Sequence, residues 1–478
     1  MYRIPSLGIL LALAACTVGP DYVTPKPPVA SAPAFIGSAS PAVTSADQPA
    51  GNWWQLYQDP ILDGLVADTL AANKDIAIAA ANLDKARAAL RGVRGDRLPS
   101  ATFDARGGYQ RLPSIQSLPG FSRNNGVVDG GISIAYEVDL FGRISRGIEA
   151  ARGDVAAADA DRDAVRVAIV AETTRAYADL GSLAERIRVA RRIVVLVDQS
   201  VKLTAKRYEA GRATRLNTAR AATLRDQVRA SVPPLEAERD AALYSLALLT
   251  GRTPRDLPPT IHTGATLLHL DRPLPVGDGR ALLARRPDVR AAERRLAAQT
   301  ARIGVATADL YPTISLGASV GSTSTGFGNS LTSSALRFFT GGLLSWNFLN
   351  QEAARANIDG ANADTAAALA GFDQTILQAL RETETALSAF THELDRRQAL
   401  GDASAEAAIA VRIVRAQLRE GRVDSLSLID AERSFADTEA ALAASNARVI
   451  TAQIDLFRAL GGGWQADATA PAGTAAAM

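Results

Sequence analysis

A unit of roughly 210 residues occurs twice along this chain, a period too long for the usual solenoid repeats. In the first copy, Asn73-Lys74-Asp75-Ile76 opens an amphipathic stretch that runs to Leu98-Pro99. In the second, Arg286-Pro287-Asp288-Val289 runs to Tyr311-Pro312 with the same Asp-to-Pro spacing. Further on, Tyr208-Glu209-Ala210-Gly211-Arg212 followed by Leu216 matches Leu418-Arg419-Glu420-Gly421-Arg422 followed by Leu426. Leu249-Thr250-Gly251 pairs with Leu460-Gly461-Gly462. Strands and helices are duplicated together, so the expected product is a pseudo-symmetric assembly of two copies.

Each copy reads as a helix, two strands and two very long helices. A helix is expected from about Pro60 to Arg97, interrupted at Asn73. Period-two alternation follows at Ala101-Thr102-Phe103-Asp104-Ala105-Arg106 and from Ile132 to Leu140. It returns at Ile314 to Val320 and at Leu344-Ser345-Trp346-Asn347-Phe348, giving four strands in two hairpins. The expected strands are about 100–112, 129–142, 312–322 and 337–349. One face carries Asp104, Arg106, Ser133, Glu137 and Asp139, and the other Ile132, Ile134, Tyr136, Trp346 and Phe348.

Proline is absent from Phe121 to Val232 and from Thr313 to Ala470, leaving room for helices far beyond the globular average. A 4-3-4-3 apolar spacing marks coiled-coil seams at Ile144, Ile148, Ala151, Val155 and Ala158, and again from Leu183 to Val201. The last helix carries it through Leu428, Ala431, Phe435, Thr438, Leu442, Ser445 and Val449. From Arg143 to Tyr208 a helix would span roughly 100 Å. Gly211 and Gly421 mark the turns where the long helices reverse. Pro233-Pro234 should kink the first returning helix, whereas Ala443-Ala444 in the second should not.

At the N-terminus, Arg3 precedes the apolar run Ile9-Leu10-Leu11-Ala12 and then Leu13-Ala14-Ala15-Cys16, the order of a secretory signal ending in a lipobox. Residues 1–15 are read as signal peptide, with Cys16, the only cysteine, acylated. That anchors the chain without spanning a bilayer. Thr17 after the cysteine favours the outer over the inner membrane. Residues 16–59 are read as a Pro/Ala/Ser-rich tether, 60–252 and 276–464 as the two repeats, 253–275 as a linker and 465–478 as a disordered tail. No run beyond the signal reaches the ~20 apolar residues of a membrane helix. A net charge of +2 gives no reason to invoke nucleic acid.

Two strand hairpins in lipid would leave open edges, at several kcal/mol per unpaired group, so closure requires several chains. Two copies give eight strands and a filled interior, whereas three give twelve and a lumen, which suits polar Asp104, Arg106, Glu137 and Asp139. The expected fold is therefore mainly helical with a small β part: long antiparallel coiled coils, and four strands per chain closing a twelve-stranded β-barrel in a homotrimer. The competing readings are a lipid-anchored coiled-coil scaffold without a pore and a duct for secreted proteins.

The chain resembles the TolC-type outer-membrane efflux proteins, in particular their lipoprotein branch of the NodT/OprM kind. The resemblance rests on Cys16-Thr17-Val18-Gly19-Pro20-Asp21-Tyr22 with Pro25, Trp53-Trp54 leading to Asp59-Pro60-Ile61-Leu62, Ser425-Leu426-Ser427-Leu428-Ile429-Asp430-Ala431-Glu432, and Leu460-Gly461-Gly462-Gly463-Trp464. It implies the exit duct of a tripartite efflux pump in a Gram-negative outer membrane, conducting small molecules such as drugs. The implied partners are a periplasmic adaptor and an inner-membrane transporter, commonly of the resistance-nodulation-division class. It also implies that the coiled coils form an α-barrel, a tunnel closed at its periplasmic tip. The gate candidates are Asp424, Arg422, Arg419 and Leu418 in the second turn and Tyr208 and Arg212 in the first. Asp424 equally suits a helix cap. His262, His269 and His392 are too scattered for a metal or general base, so neither a cofactor nor an enzyme activity is expected.

Overall fold

The computed structural model describes residues 17–25, 34–45, 51–116, 122–270 and 272–462. The duplication is visible element by element. In the first copy α1 (Pro60–Ala72) and α2 (Lys74–Gly95) lead to β2 (Ser100–Arg111) and β3 (Asn124–Val138). Then come α3 (Arg143–Glu209), α4 (Arg215–Ala230) and α5 (Val232–Leu249). The second copy runs α7 (Gly279–Arg285), α8 (Pro287–Ala308), β5 (Thr313–Ser324), β6 (Leu336–Ser345), α9 (Glu352–Arg419) and α10 (Ser425–Ala459). Helices α2 and α8 each have 22 residues, and α3 and α9 have 67 and 68. Between the copies lie α6 (Pro259–Gly264) and β4 (Leu274–Pro275), and β1 (Val43–Thr44) precedes α1.

The chain divides into two compact units. The first contains residues 1–26, 82–159 and 291–373, the second 27–81, 160–290 and 374–478. The first is built round a four-stranded antiparallel sheet in the order β2-β3-β5-β6. Its strands differ from expectation at their ends. β3 begins at Asn124 and stops at Val138, and β6 stops at Ser345, so Asp139, Trp346 and Phe348 lie outside the sheet. Trp346 and Phe348 still sit together, with ring centres 5.6 Å apart, and the indole N–H donates to the Leu310 carbonyl.

Residues 17–25, expected as free tether, are docked within the first unit. The Val18 amide donates to the Phe141 carbonyl, and buried Arg146 donates to the carbonyls of Val18 and Gly19 and to Asp21. The Tyr22 hydroxyl donates to Glu293 at 2.6 Å. Gly19 lies so close to Gly304 that a Cβ would come within 2.4 Å of the latter's Cα, so the backbones can touch only because both are glycine. Composition pointed to an extended tether; the paired charges and these small residues supply what holds the segment.

The second unit holds the main core. Trp53, wholly buried, stacks on Phe457 at 4.8 Å and 15°. Asp59 caps α1 by accepting from the amides of Ile61 and Leu62, and its other oxygen accepts from the Tyr177 hydroxyl at 2.8 Å. Phe35, Val43, Leu257, Ile261 and Leu268 are buried in the same cluster, and β1 pairs in parallel with β4. The stretches expected as tether and linker thus contribute to this core.

The kink is where proline placed it. Helices α4 and α5 are separated at Ser231, ahead of Pro233-Pro234, while α10 is continuous across Ala443-Ala444. Two expectations need correction. Helix ends with positive φ occur at Gly251 and Gly461, not Gly462, so the true equivalence is Leu249-Thr250-Gly251 with Ala459-Leu460-Gly461. In the lower half of α10 the buried stripe is Ser425, Leu428, Ile429, Glu432, Ala436 and Ala443. The expected seam residues Ala431, Phe435, Thr438 and Leu442 are only half-buried. One helix packs here against more than a single partner, which rotates the buried stripe away from a two-helix seam.

Candidate functional site

Two regions carry the residues singled out by the sequence. In the sheet, antiparallel register sets which side chains share a face. Asp104 lies opposite Gly131, Arg106 opposite Asp129 and Thr102 opposite Ser133. Ser133, Asp129 and Glu137 in turn face Ser319, Thr323 and Ser315 on β5. One face is therefore polar across three strands. The other carries Phe103, Ile132, Ile134, Tyr136, Leu316, Val320, Phe338 and Leu344. Many of these are openly exposed, Phe338 at 79% and Leu344 at 67%. β6 departs from the pattern, since Phe339 and Leu343 fall on the polar side. The Phe339 ring covers the bare backbone of Gly341, its nearest ring atom 3.0 Å from where a Cβ would be.

The polar face contains a network that the sequence reading missed. Asp129 accepts from Arg337 at 3.0 Å and from Thr323 at 2.7 Å, while Arg337 also donates to Thr323 at 3.1 Å. Asp129, at the start of the expected second strand, was not singled out, although it stands in phase with Ser133 and Glu137 at every fourth position. Glu137 is on this face and receives both Nε and Nη2 of Arg143, at 2.8 and 2.7 Å. Asp139 has a different job from the one expected. Its two oxygens accept from the Ile144 and Ser145 amides, so it caps α3.

In the second unit, the turns after α3 and α9 are built alike. Gly211 and Gly421 have φ of +71° and +75°, with nothing near their Cβ positions. Their amides bond back to the carbonyls of Tyr208 and Leu418, and those of Arg212 and Arg422 to Arg207 and Gln417. Thr214 caps α4 by accepting from the Asn217 amide, and Asp424 caps α10 by accepting from the Ser427 amide at 2.9 Å. That amide, with the Ser427 hydroxyl, holds the Asp424 carboxyl below the usual carboxylate range.

Of the six gate candidates, Tyr208, Arg212, Arg419, Arg422 and Asp424 are exposed in the chain. Arg422 pairs with Glu420 at 2.9 Å. Leu418 is wholly buried, and its carbonyl accepts from Arg207 at 2.7 Å, tying the two long helices together at their ends. Its side chain packs inside the chain rather than projecting from the turn.

Above the turns, α10 carries two acids, Glu432 buried and Glu439 half-buried, that each take one serine and one arginine. Glu432 accepts from Ser200 of α3 and Arg415 of α9, and Glu439 from Ser404 of α9 and Arg192 of α3. At the other end of the unit, Arg286 donates to the Ala459 carbonyl, Asp288 and Glu382, where Asn73 of the first copy donates to the Leu249 carbonyl. Burial works against the charge on Glu382, yet hydrogen bonds from Gln378 and Arg286 keep its carboxyl below the ordinary range. Among the described residues no cluster of potential metal ligands occurs and no helix is long and apolar enough to cross a membrane. Cys16 lies outside them, as does the side chain of His262.

Comparison with known proteins agrees with these features. The protein OprJ of Pseudomonas aeruginosa, described as an outer membrane protein, is 32% identical over 97% of this chain and 96% of its own. The toluene efflux pump outer membrane protein TtgC of Pseudomonas putida is 30% identical over 95% of this chain and 93% of its own. Among solved structures, the outer-membrane channel OprN superposes with a TM-score of 0.87 at 36% identity, covering 94% of this chain and all of that one. The open state of the MtrE outer membrane channel of Neisseria gonorrhoeae gives 0.79 at 27% identity, covering 94% and 99%. The profile of the outer membrane efflux protein family matches residues 65–252 and 279–462, the two copies described above. The chain belongs to the family of outer membrane efflux proteins, the outer-membrane components of efflux pumps.

Proposed function

We propose that three copies of this chain join β2 of one to β6 of the next, closing a twelve-stranded barrel whose polar face lines a water-filled lumen. The observation that carries this is the sheet itself. Both β2 and β6 are edge strands, one face is apolar and exposed, and the other is a polar network. An open edge would be costly in lipid, and twelve strands leave a lumen where eight would not. Asp104, Arg106, Asp129 and Glu137 then face water, while Phe103, Ile134 and Phe338 face lipid.

The long helices form the periplasmic duct, and the turns at Gly211 and Gly421 form its gated tip, with Asp424, Arg422, Arg419, Tyr208 and Arg212 as the exposed charged and aromatic groups there. Cys16 carries the lipid anchor. The duct is passive and conducts small molecules; a periplasmic adaptor and an inner-membrane transporter of the resistance-nodulation-division class supply coupling and energy.

The first test is the native mass of the detergent-extracted mature protein, with Cys16→Ser as the unlipidated control. Three chains per particle are expected; a monomer stable without detergent overturns the barrel. In planar bilayers Asp424→Ala is expected to raise the open fraction, because it removes both a charge and the cap that holds the turn.

A further inference from the structure

Glu432 stands apart from the other acids of the helical unit. It is completely buried, its Oε1 accepts from Ser200 at 2.5 Å and from Arg415 at 2.7 Å, and its Oε2 has no hydrogen-bond partner. The carboxyl lies where α10 meets both α3 and α9, two turns beyond the Asp424 cap. α10 packs around it through an apolar cluster of Val197, Ala221, Leu224, Ile429 and Ala436. A buried carboxylate oxygen with nothing to accept from is expensive; protonation removes the penalty on the buried charge, and parting of the helices admits water to the oxygen.

We propose that Glu432 is a proton-operated latch that fastens the α9–α10 hairpin to α3, tightening in acid and loosening as the pH rises. This rests on the gated-duct reading and adds its regulation. The groups facing the carboxyl from each element are few. α3 presents Ser200, α9 presents Arg415, and α4 packs on α10 through Ala221 and Leu224; among the described residues Arg415 is the charged group acting on it. Burial raises the carboxyl's pKa, and the bonds from Ser200 and Arg415 offset only part of that rise. A separated hairpin would return Glu432 to water and to an ordinary value. Protons therefore bind more tightly to the latched arrangement. The latch strengthens as pH falls through the buried-state pKa and is weakened as pH rises through it. Glu439, one heptad further on, shares the same two neighbouring helices but remains partly accessible.

The test uses the full-length lipidated protein in detergent. Its one natural cysteine is the proposed acylation site, so spin labels at Lys202→Cys and Asp430→Cys, both exposed, report the α3–α10 separation. In the otherwise wild-type chain the ratio of separated to latched pairs should rise with pH between the ordinary glutamate value and the buried-state value, by at most about tenfold per pH unit. Glu432→Gln, uncharged and of the same shape, should stay latched at every pH, and Glu432→Ala should be separated at every pH. Coincident distance distributions for wild type and Glu432→Gln from pH 4.5 to 8.5 overturn the latch. The distance readout needs no pore. A failure of the channel reading would show instead as absent conductance in the wild type, leaving the distances to decide the latch.

Discussion

The two returning arms of the helical unit start from the same turn, end at the same kind of helix stop, and behave differently between. Gly211 and Gly251 bracket the first, Gly421 and Gly461 the second, so no insertion separates them. Yet α4 and α5 break at Ser231, while α10 runs unbroken for 35 residues. The straight arm also carries Glu432 and Glu439, which reach α3 as well as α9, whereas the broken one meets α3 through Arg186–Glu238 and Arg191–Glu236, pairs at the surface. A single proline pair thus separates a bent arm that meets α3 through apolar packing and surface ion pairs from a straight arm whose Glu432 reaches α3 by a buried polar bond.

The sharpest way to break that contrast is to write the first arm's chemistry into the second. Ala444→Pro should cost about 3 kcal/mol or more, since the ring removes a bond and clashes in the interior of α10. The fall in thermal unfolding temperature would measure it. The reverse change, Pro233→Ala with Pro234→Ala, should join α4 to α5, seen as slower amide exchange over residues 228–236, with little change in stability.

Where the arms are alike, matched substitutions should cost alike. Gly211→Ala and Gly421→Ala should each lose about 1–2 kcal/mol, because both glycines are left-handed and an added methyl meets no neighbour, leaving only the backbone penalty. Unequal losses in denaturant titrations would mean that the turns are not equivalent.

The smallest effect separates the caps. Thr214→Ala and Asp424→Ala should each cost about 1 kcal/mol at neutral pH. Asp424 titrates and Thr214 does not. The carboxyl's folded pKa is depressed by its bonds from Ser427, so its contribution is complete above the ordinary aspartate value and is lost as pH falls through the folded value. At pH 2 the Thr214→Ala penalty should persist and the Asp424→Ala penalty should shrink, as read from unfolding midpoints.

Much of this fold is legible in one sequence because it is governed by spacing. The duplicated Gly-Arg turns, the proline break and the absence of proline elsewhere fix where helices run and reverse. The misreadings have physical causes. Asp139 continues the alternation of Glu137, and alternation cannot tell a strand residue from the cap of the next helix. Gly461-Gly462-Gly463 offers three places for a helix stop, and only the hydrogen bonds choose among them. Glu432 escaped notice as a buried group because a two-helix seam places it beside the contact line; a third helix, α3, is what buries it. Asp129 and Arg337 were missed because their partnership depends on register across three strands, which no local pattern encodes. The gate candidates were taken from the family resemblance at the two turns, whereas the burial of Leu418 follows from how two distant helix ends meet.

Asn73 and Arg286 occupy matching places, and each holds the carbonyl of the matching residue at the end of a returning helix. One does so with a neutral amide, the other with a cation that has gathered Asp288 and Glu382 around it. A ring of identical half-length chains could not hold both solutions, since every mutation would appear at every equivalent site. Two copies carried in one chain lift that restriction, so the same place in the architecture can be held by a neutral amide in one half and by a charged cluster in the other.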